Sequence, residues 1–244
     1  MTPIIVAIGG GSMAEGATAS IDREIVRLAG KKKPAALFIP TASGDDPVYV
    51  ENFQKIYGKK LGCKTQSLLL LKHPPSPGDV KKMINNADII YVGGGNTLMM
   101  MRRWRFLGVD KLLIKACKDG KVMAGTSAGA ICWFQYGHSD SEFYYHPDNW
   151  EWIRVKCLGI APFTACPHCL KEGRLSHFIK MIKKHGGTGI ALDDCTAMEI
   201  TGSQFRILRS KEGAQAFRID RINGQMITTP FAVSDKFKEL RIEN

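Results

Sequence analysis

Short apolar runs alternate with amphipathic segments along the first half of this chain, and that alternation limits the fold more than any other feature. Ile4–Ile8 reads as a buried strand ending in Gly9-Gly10-Gly11, after which Ile21, Ile25 and Leu28 recur at helical spacing, closed by Gly30. Ala35–Ile39 is a second strand. Val50, Phe53, Ile56, Tyr57 and Leu61 mark a second helix face, and Thr65–Leu71 reads as a third strand. Asp88–Val92 is a fourth, running into Gly93-Gly94-Gly95-Asn96. Helical segments around Leu98–Trp104 and Asp110–Lys118 lead to a fifth strand, Lys121–Ala124. This order predicts an α/β fold, a three-layer α/β/α arrangement with a mostly parallel central sheet. Ile190–Leu192, Ala197–Ile200, Phe205–Leu208 and Ala214–Ile219 are short and closely spaced, which predicts a short antiparallel C-terminal extension. With no linker or internal repeat in view, residues 1–244 are read as a single domain.

Composition narrows the function classes. Of 244 residues, 44% are hydrophobic and 23% charged, which excludes a disordered or fibrous chain. Lys and Arg number 34 against 23 Asp and Glu, a formal charge of +11. The excess points to a polyanion partner or to a basic solvated surface. Lys31-Lys32-Lys33 is short and follows a helix end, where cations are favourable, so no nucleic-acid partner is expected. No run approaches the ~20 apolar residues of a membrane span, and none is expected. The apolar run at the N-terminus is too short for a signal-peptide core, and seven cysteines, an odd number, argue against a disulfide framework. The expectation is a cytoplasmic protein with free thiols.

Gly125-Thr126-Ser127-Ala128-Gly129 matches the G-x-S-x-G turn that presents a nucleophilic serine between a strand and a helix. Lys121–Ala124 leads in, and the apolar run Ala130–Phe134 reads as the helix leading out. A serine nucleophile needs a base and N–H donors for the developing oxyanion. The Ala128 N–H, directly after the serine, is one candidate donor, and Gly94 or Gly95 supplies the other. Six histidines compete for the base: His73, His138, His146, His168, His177 and His185. His168, in Thr164-Ala165-Cys166-Pro167-His168 after an apolar stretch and before a helix start, is where a sheet edge presents a side chain. Spacing alone does not decide among the six.

Four motifs in order then carry a resemblance: Ile39-Pro40-Thr41-Ala42, Val92-Gly93-Gly94-Gly95-Asn96-Thr97, Gly125-Thr126-Ser127-Ala128-Gly129-Ala130 and Cys166-Pro167-His168. The chain resembles the peptidase E (aspartyl dipeptidase) and cyanophycinase family of serine peptidases, whose fold is similar to that of class I glutamine amidotransferases. The likeness runs from the first strand to about residue 200. It implies Ser127 as nucleophile, His168 as base, and glycine N–H groups of Gly93–Gly95 together with Ala128 in an oxyanion hole. It places the acid in the loop after the elbow helix, where Asp140 is the first choice and Glu142 the second; Asp193 and Asp194 are further candidates. Asn96 and Arg174 are read as substrate-binding, Arg174 through its planar fork on a carboxylate. The implied activity is hydrolysis of short peptides, dipeptidase-like, with acidic residues as one substrate class and no cofactor or metal.

Other readings compete. Cys166-Pro167-His168-Cys169 has the C-x-x-C spacing of thiol–disulfide oxidoreductases, or of half a metal site with Cys157 or His177. Gly9-Gly10-Gly11-Ser12-Met13-Ala14 fits a dinucleotide-binding G-x-G-x-x-A, but no acidic residue ends the second strand. An α/β-hydrolase is a rival fold for the same elbow. Six aromatics lie between Tyr136 and Trp152: Tyr136, Phe143, Tyr144, Tyr145, Trp150 and Trp152. They are read as a wall of the substrate pocket, as core packing or as the contact of a homodimer.

Overall fold

The computed structural model describes residues 2–234 and 236–239. Five strands form its parallel centre: β1 (Ile4–Ile8), β2 (Ala35–Ile39), β3 (Lys64–Ser67), β4 (Ile89–Val92) and β5 (Val122–Thr126). They lie in the order β1-β5-β4-β2-β3. Apart from the edge strand β3, they are buried almost throughout on both faces, as parallel strands require. Successive residues of β1 alternate between two cores. Ile5 and Ala7 join a cluster with Leu37, Ile90, Val92 and Met123, while Val6 and Ile8 join Phe38, Ile89, Tyr91 and Ala124 on the opposite face.

Helices cover both faces. α1 (Ala19–Leu28) and the segment from α2 (Pro47–Phe53) through a π-helical run over 54–60 pack on one side, where Phe53 stacks on Phe38 and Tyr57. α3 (Pro77–Asn86), α4 (Thr97–Leu107) and α5 (Val109–Lys118) cover the other. The starts of α2 and α3 follow the capping rule: Asp46 and Ser76 accept N–H bonds at the caps, each with proline next in the helix.

Two departures from the sequence expectation matter for the site. The third strand stops at Ser67 rather than Leu71. Beyond it the N–H groups of Leu70 and Leu71 both turn to the Asp45 carboxylate, at 2.8 Å each. The elbow helix α6 (Ala128–Ile131) is a single turn, and β6 (Phe134–Ser139) begins where the apolar run was expected to continue as helix. A short apolar run does not distinguish helix from buried strand.

β6 belongs to a second, six-stranded sheet that the sequence did not reveal. It contains β7 (Ile153–Lys156), β8 (Ala161–Cys166), β9 (Gly189–Leu192), β12 (Ala216–Ile222) and β13 (Gln225–Pro230), in the order β13-β12-β9-β8-β6-β7. So the antiparallel C-terminal part is divided. β10 (Thr196–Thr201), β11 (Gln204–Arg209) and β14 (Lys238–Glu239) extend the first sheet beside β1, while β12 and β13 extend the second. Phe163, Ala165, Ile190 and Leu192 face the shared core, while Cys166 and Ala191 face α7 (Arg174–His185) through Phe178 and Ile182.

The elbow lies against β4 with no room to spare. A Cβ on Gly125 would overlap the Gly129 carbonyl, and one on Gly129 would overlap the Val92 carbonyl. Gly129→Ala therefore forces backbone apart. The expected loss of unfolding free energy is at or above the ~1–3 kcal/mol typical of overpacked cores, read by urea denaturation.

Candidate active site

The end of β1 organises the site. Three successive carbonyls there each accept a hydrogen bond from a different segment: Ile8 from the Ser127 N–H at 3.0 Å, Gly9 from the His168 N–H at 3.1 Å, and Gly10 from the Cys195 N–H at 2.9 Å. Each donor residue has positive φ, at 55° for Ser127, 48° for His168 and 63° for Cys195. Among the described residues only two other non-glycine residues, Asp45 and Asn223, share that region. Such conformations are disfavoured for residues with a Cβ and persist where the surroundings hold them. The three segments come from the end of β5, the loop after β8, and the turn that carries the chain from β9 in one sheet to β10 in the other.

The side chains on these segments meet. His168 Nε2 lies 2.9 Å from Ser127 Oγ, and Nδ1 hydrogen-bonds the Asp194 carboxylate. A carboxylate only accepts, so the Nδ1–H donates to Asp194 and Nε2 is left to accept the serine hydroxyl proton. The imidazole's hydrogen bond holds the Asp194 carboxyl below its ordinary 3.8, against an opposing desolvation effect. Neighbouring Asp193 is pushed the other way by burial. The imidazole itself is 16% exposed, shielded but open on one side.

Asp140 does not occupy this position, which corrects the first choice of acid. It follows β6, and its carboxylate turns to the Arg174 guanidinium at 3.3 Å. Glu142 lies in the next turn and accepts the Glu151 N–H at 3.3 Å. Arg174 is correspondingly not the free cation expected: it is 3% exposed, with a second bond to the His138 carbonyl at 3.2 Å. Asn96 is likewise committed, its side chain accepting the Met99 N–H at 3.0 Å as the cap of α4. Tyr49, missed in the sequence, approaches the glycine turn, its hydroxyl 3.4 Å from the Gly94 nitrogen.

The glycine turn stands beside the nucleophile. A Cβ on Gly94 would lie 3.3 Å from the Ser127 Cβ, and Gly95, with φ 133°, is pressed against the Ala42 backbone. Ala128 is the first residue of α6, so its N–H is among those a helix start leaves without an intrahelical acceptor. The Gly9-Gly10 pair, which the sequence suggested as a nucleotide loop, is instead a seat for the imidazole and its acid. A Cβ on Gly10 would overlap both the Asp194 carboxylate and the His168 ring.

Other candidates fall away by their surroundings. Burial lowers the pKa of His138 to about 2, with the Arg174 charge adding to the effect, so the ring is neutral; it hydrogen-bonds His177 at 3.0 Å. Cys166 and Cys169 are fully buried; burial pushes the Cys166 thiol up to about 12 and the Cys169 thiol further in the same direction. A redox C-x-x-C needs an accessible thiolate, and these are inaccessible thiols. Among the described residues, no three His, Cys, Asp or Glu side chains are grouped to hold a metal ion, and no helix is long and apolar enough to cross a membrane.

The sequence profile of peptidase family S51 matches residues 5–208, a span that contains every element of this constellation. The chain belongs to that family. As an S51 member it is a peptidase, hence a hydrolase. It is 34% identical to the peptidase YgaJ of Bacillus subtilis (strain 168) over 236 residues, 96% of this chain and 98% of that protein. Peptidase E of Streptomyces coelicolor is 25% identical over 134 residues, 54% of this chain and 50% of the relative. The crystal structure of a peptidase from an acI-B1 Actinobacterium superposes with a TM-score of 0.74 at 16% identity, covering 98% of this chain and 97% of that one, which shows a shared fold.

The site geometry sets two expectations. Gly10→Ala should lower kcat by about 10²-fold or more, a misplacement effect, while a circular dichroism spectrum stays native. The sign of the Asp194 shift sets the second. A carboxyl held low in the folded state contributes stability above its unfolded-state pKa, and loses it as the pH falls through the folded value, below 3.8. Asp194→Asn should therefore flatten the acid limb of an unfolding-versus-pH curve in that range.

Proposed function

We propose that this chain is a serine peptidase of short peptides, acting through Ser127, His168 and Asp194. The observation that carries the reading is the unbroken hydrogen-bonded line from hydroxyl to imidazole to carboxylate, with the serine held at a strained turn beside Gly94. His168 Nε2 takes the hydroxyl proton as Ser127 Oγ attacks the peptide carbonyl. Asp194 fixes the tautomer and stabilises the imidazolium that forms. The N–H groups of Ala128 and of Gly94 or Gly95 hold the oxyanion. For Gly94, this requires its long contact with Tyr49 to be exchanged for one with substrate. The imidazolium then protonates the leaving amine, and a water activated by the same imidazole releases the acyl group.

Restriction to short peptides rests on the segment after β6. Ser141 Oγ accepts the Leu98 N–H at 3.0 Å and Asp140 pairs with Arg174, so the segment is anchored at two points, and we assign it as the wall that limits substrate length. Seven free cysteines, all buried, are compatible with the reducing cytoplasm we assign as its compartment. Ser127→Ala should abolish hydrolysis of a dipeptide library without loss of fold. Asp194→Asn should reduce kcat by ~10²–10⁴-fold, the range seen when a triad acid is neutralised. Unchanged turnover in the serine variant would sink the proposal.

A further inference from the structure

Tyr49 touches the glycine turn at two points. Its hydroxyl lies 3.4 Å from the Gly94 nitrogen and accepts that N–H, and a Cβ on Gly93 would come within 2.9 Å of its ring. The turn is anchored on both sides of Gly94. The Gly93 N–H donates to the Ile39 carbonyl at 3.2 Å, the Asn96 N–H donates to the Ala42 carbonyl at 2.8 Å, and Gly95 is pressed against the Ala42 backbone. Between these anchors, the side-chain direction of Gly94 faces the nucleophile while its N–H faces the phenol. A Cβ on Gly94 would lie 3.3 Å from the Ser127 Cβ and 3.9 Å from its Oγ.

The phenol is held as firmly as the turn. Tyr49 lies in the first turn of α2, just after the Asp46 cap and Pro47. Its ring packs edge-on against Phe38 at 5.0 Å, and Phe38 is fully buried in a stack with Phe53. Burial pushes the phenol up to about 12, with the Asp22 charge acting in the same direction, so the group keeps its proton across the neutral range.

A phenol both accepts and donates. Here Gly94 uses the accepting half and is the hydroxyl's one hydrogen-bond partner among the described residues. The bond is longer than the ~2.9–3.0 Å of an ordinary N–H···O contact, so it is readily exchanged. An oxygen that takes the Gly94 N–H arrives beside the phenol oxygen, where the O–H can turn to it.

We propose that Tyr49 is a catalytic residue of the oxyanion site: its hydroxyl holds the Gly94 N–H while no substrate is bound, and donates its own O–H to the oxyanion formed as Ser127 attacks the peptide carbonyl. The proton stays on the phenol throughout; the contact adds a hydrogen bond to the developing charge. This rests on the peptidase reading of the site and adds a side-chain donor to the backbone donors assigned there.

The experiment measures kcat and KM across the dipeptide library, with thermal midpoints, for wild type, Tyr49→Phe, Tyr57→Phe and Ser127→Ala. Tyr49→Phe keeps the ring against Phe38 and Gly93 and removes only the hydroxyl. It should lower kcat by about 10- to 100-fold, with KM within about 2-fold and the thermal midpoint unchanged. The loss should be equal for every peptide turned over, because the oxyanion is common to all of them, whereas a residue that reads side chains changes their ratios. Tyr57→Phe removes a hydroxyl from the same run of rings, one bonded to Asp22 at 2.8 Å, and is the control for packing. It should lower the thermal midpoint and keep kcat within about 2-fold.

A kcat in Tyr49→Phe equal to or above wild type overturns the inference, because the hydroxyl then only occupies the Gly94 N–H. A loss that falls on KM, or that differs from peptide to peptide, overturns it as well. Hydrolysis that persists in Ser127→Ala, or no hydrolysis of any member by wild type, overturns the peptidase reading itself and this inference with it.

Discussion

The C-terminal end of β1 is the constraint on which the site depends. A strand buried on both faces ends in two glycines, and the carbonyls of Ile8, Gly9 and Gly10 point at three different incoming segments. Each incoming residue bends through a left-handed conformation to donate its N–H. Three strained residues are tolerable because each strain is offset by a backbone bond to a rigid acceptor. Ser127 and His168 are themselves two of the bonded residues and Asp194 adjoins the third, Cys195, so backbone geometry positions all three side chains. Their mutual geometry follows from one strand end rather than from three independent loops.

This also explains why the site lies between two sheets. A parallel α/β sheet offers its ligand site beyond the carboxyl ends of its strands. Here Ser127 comes from that edge of the first sheet, while His168 follows a strand of the second. The β9–β10 turn, which crosses from one sheet to the other, brings Asp194 across at the junction. A Cβ on Gly9 would overlap the Leu192 and Asp193 carbonyls, so the turn lies directly on the strand end. Glycine at positions 9 and 10 is thus needed for contact more than for conformation.

What was legible in the sequence follows the range of the interactions. The five parallel strands and the helices between them are written in local periodicity, and the elbow in a local motif, so all of these could be read from the chain. The second sheet could not, because β6, Phe-Gln-Tyr-Gly-His-Ser, carries no strand pattern of its own and its strand state is decided by partners in β7 and β8. That error carried into the site. The resemblance placed the acid in a loop after the elbow helix, whereas Asp140 directly follows a strand and turns to Arg174. Asp194 lies 26 residues beyond His168 and 67 beyond Ser127, and only the sheet-to-sheet crossing brings it there. The sequence named Asp194 only as a further candidate, because the Gly9-Gly10 pair that seats it acts through a turn some 180 residues away.

The buried polar residues behind the site show the same logic at the level of charge. Arg174 enters the interior at the start of α7 with one carboxylate and one carbonyl as partners, and its charge helps keep His138 neutral. A neutral His138 keeps its ring hydrogen bond to His177 and supports the stack of Trp152 and Trp150. A buried arginine is costly without its counter-ion. The Asp140 carboxylate is thus part of what makes Arg174 tolerable inside the fold, and removing it would leave a buried charge without its counter-ion.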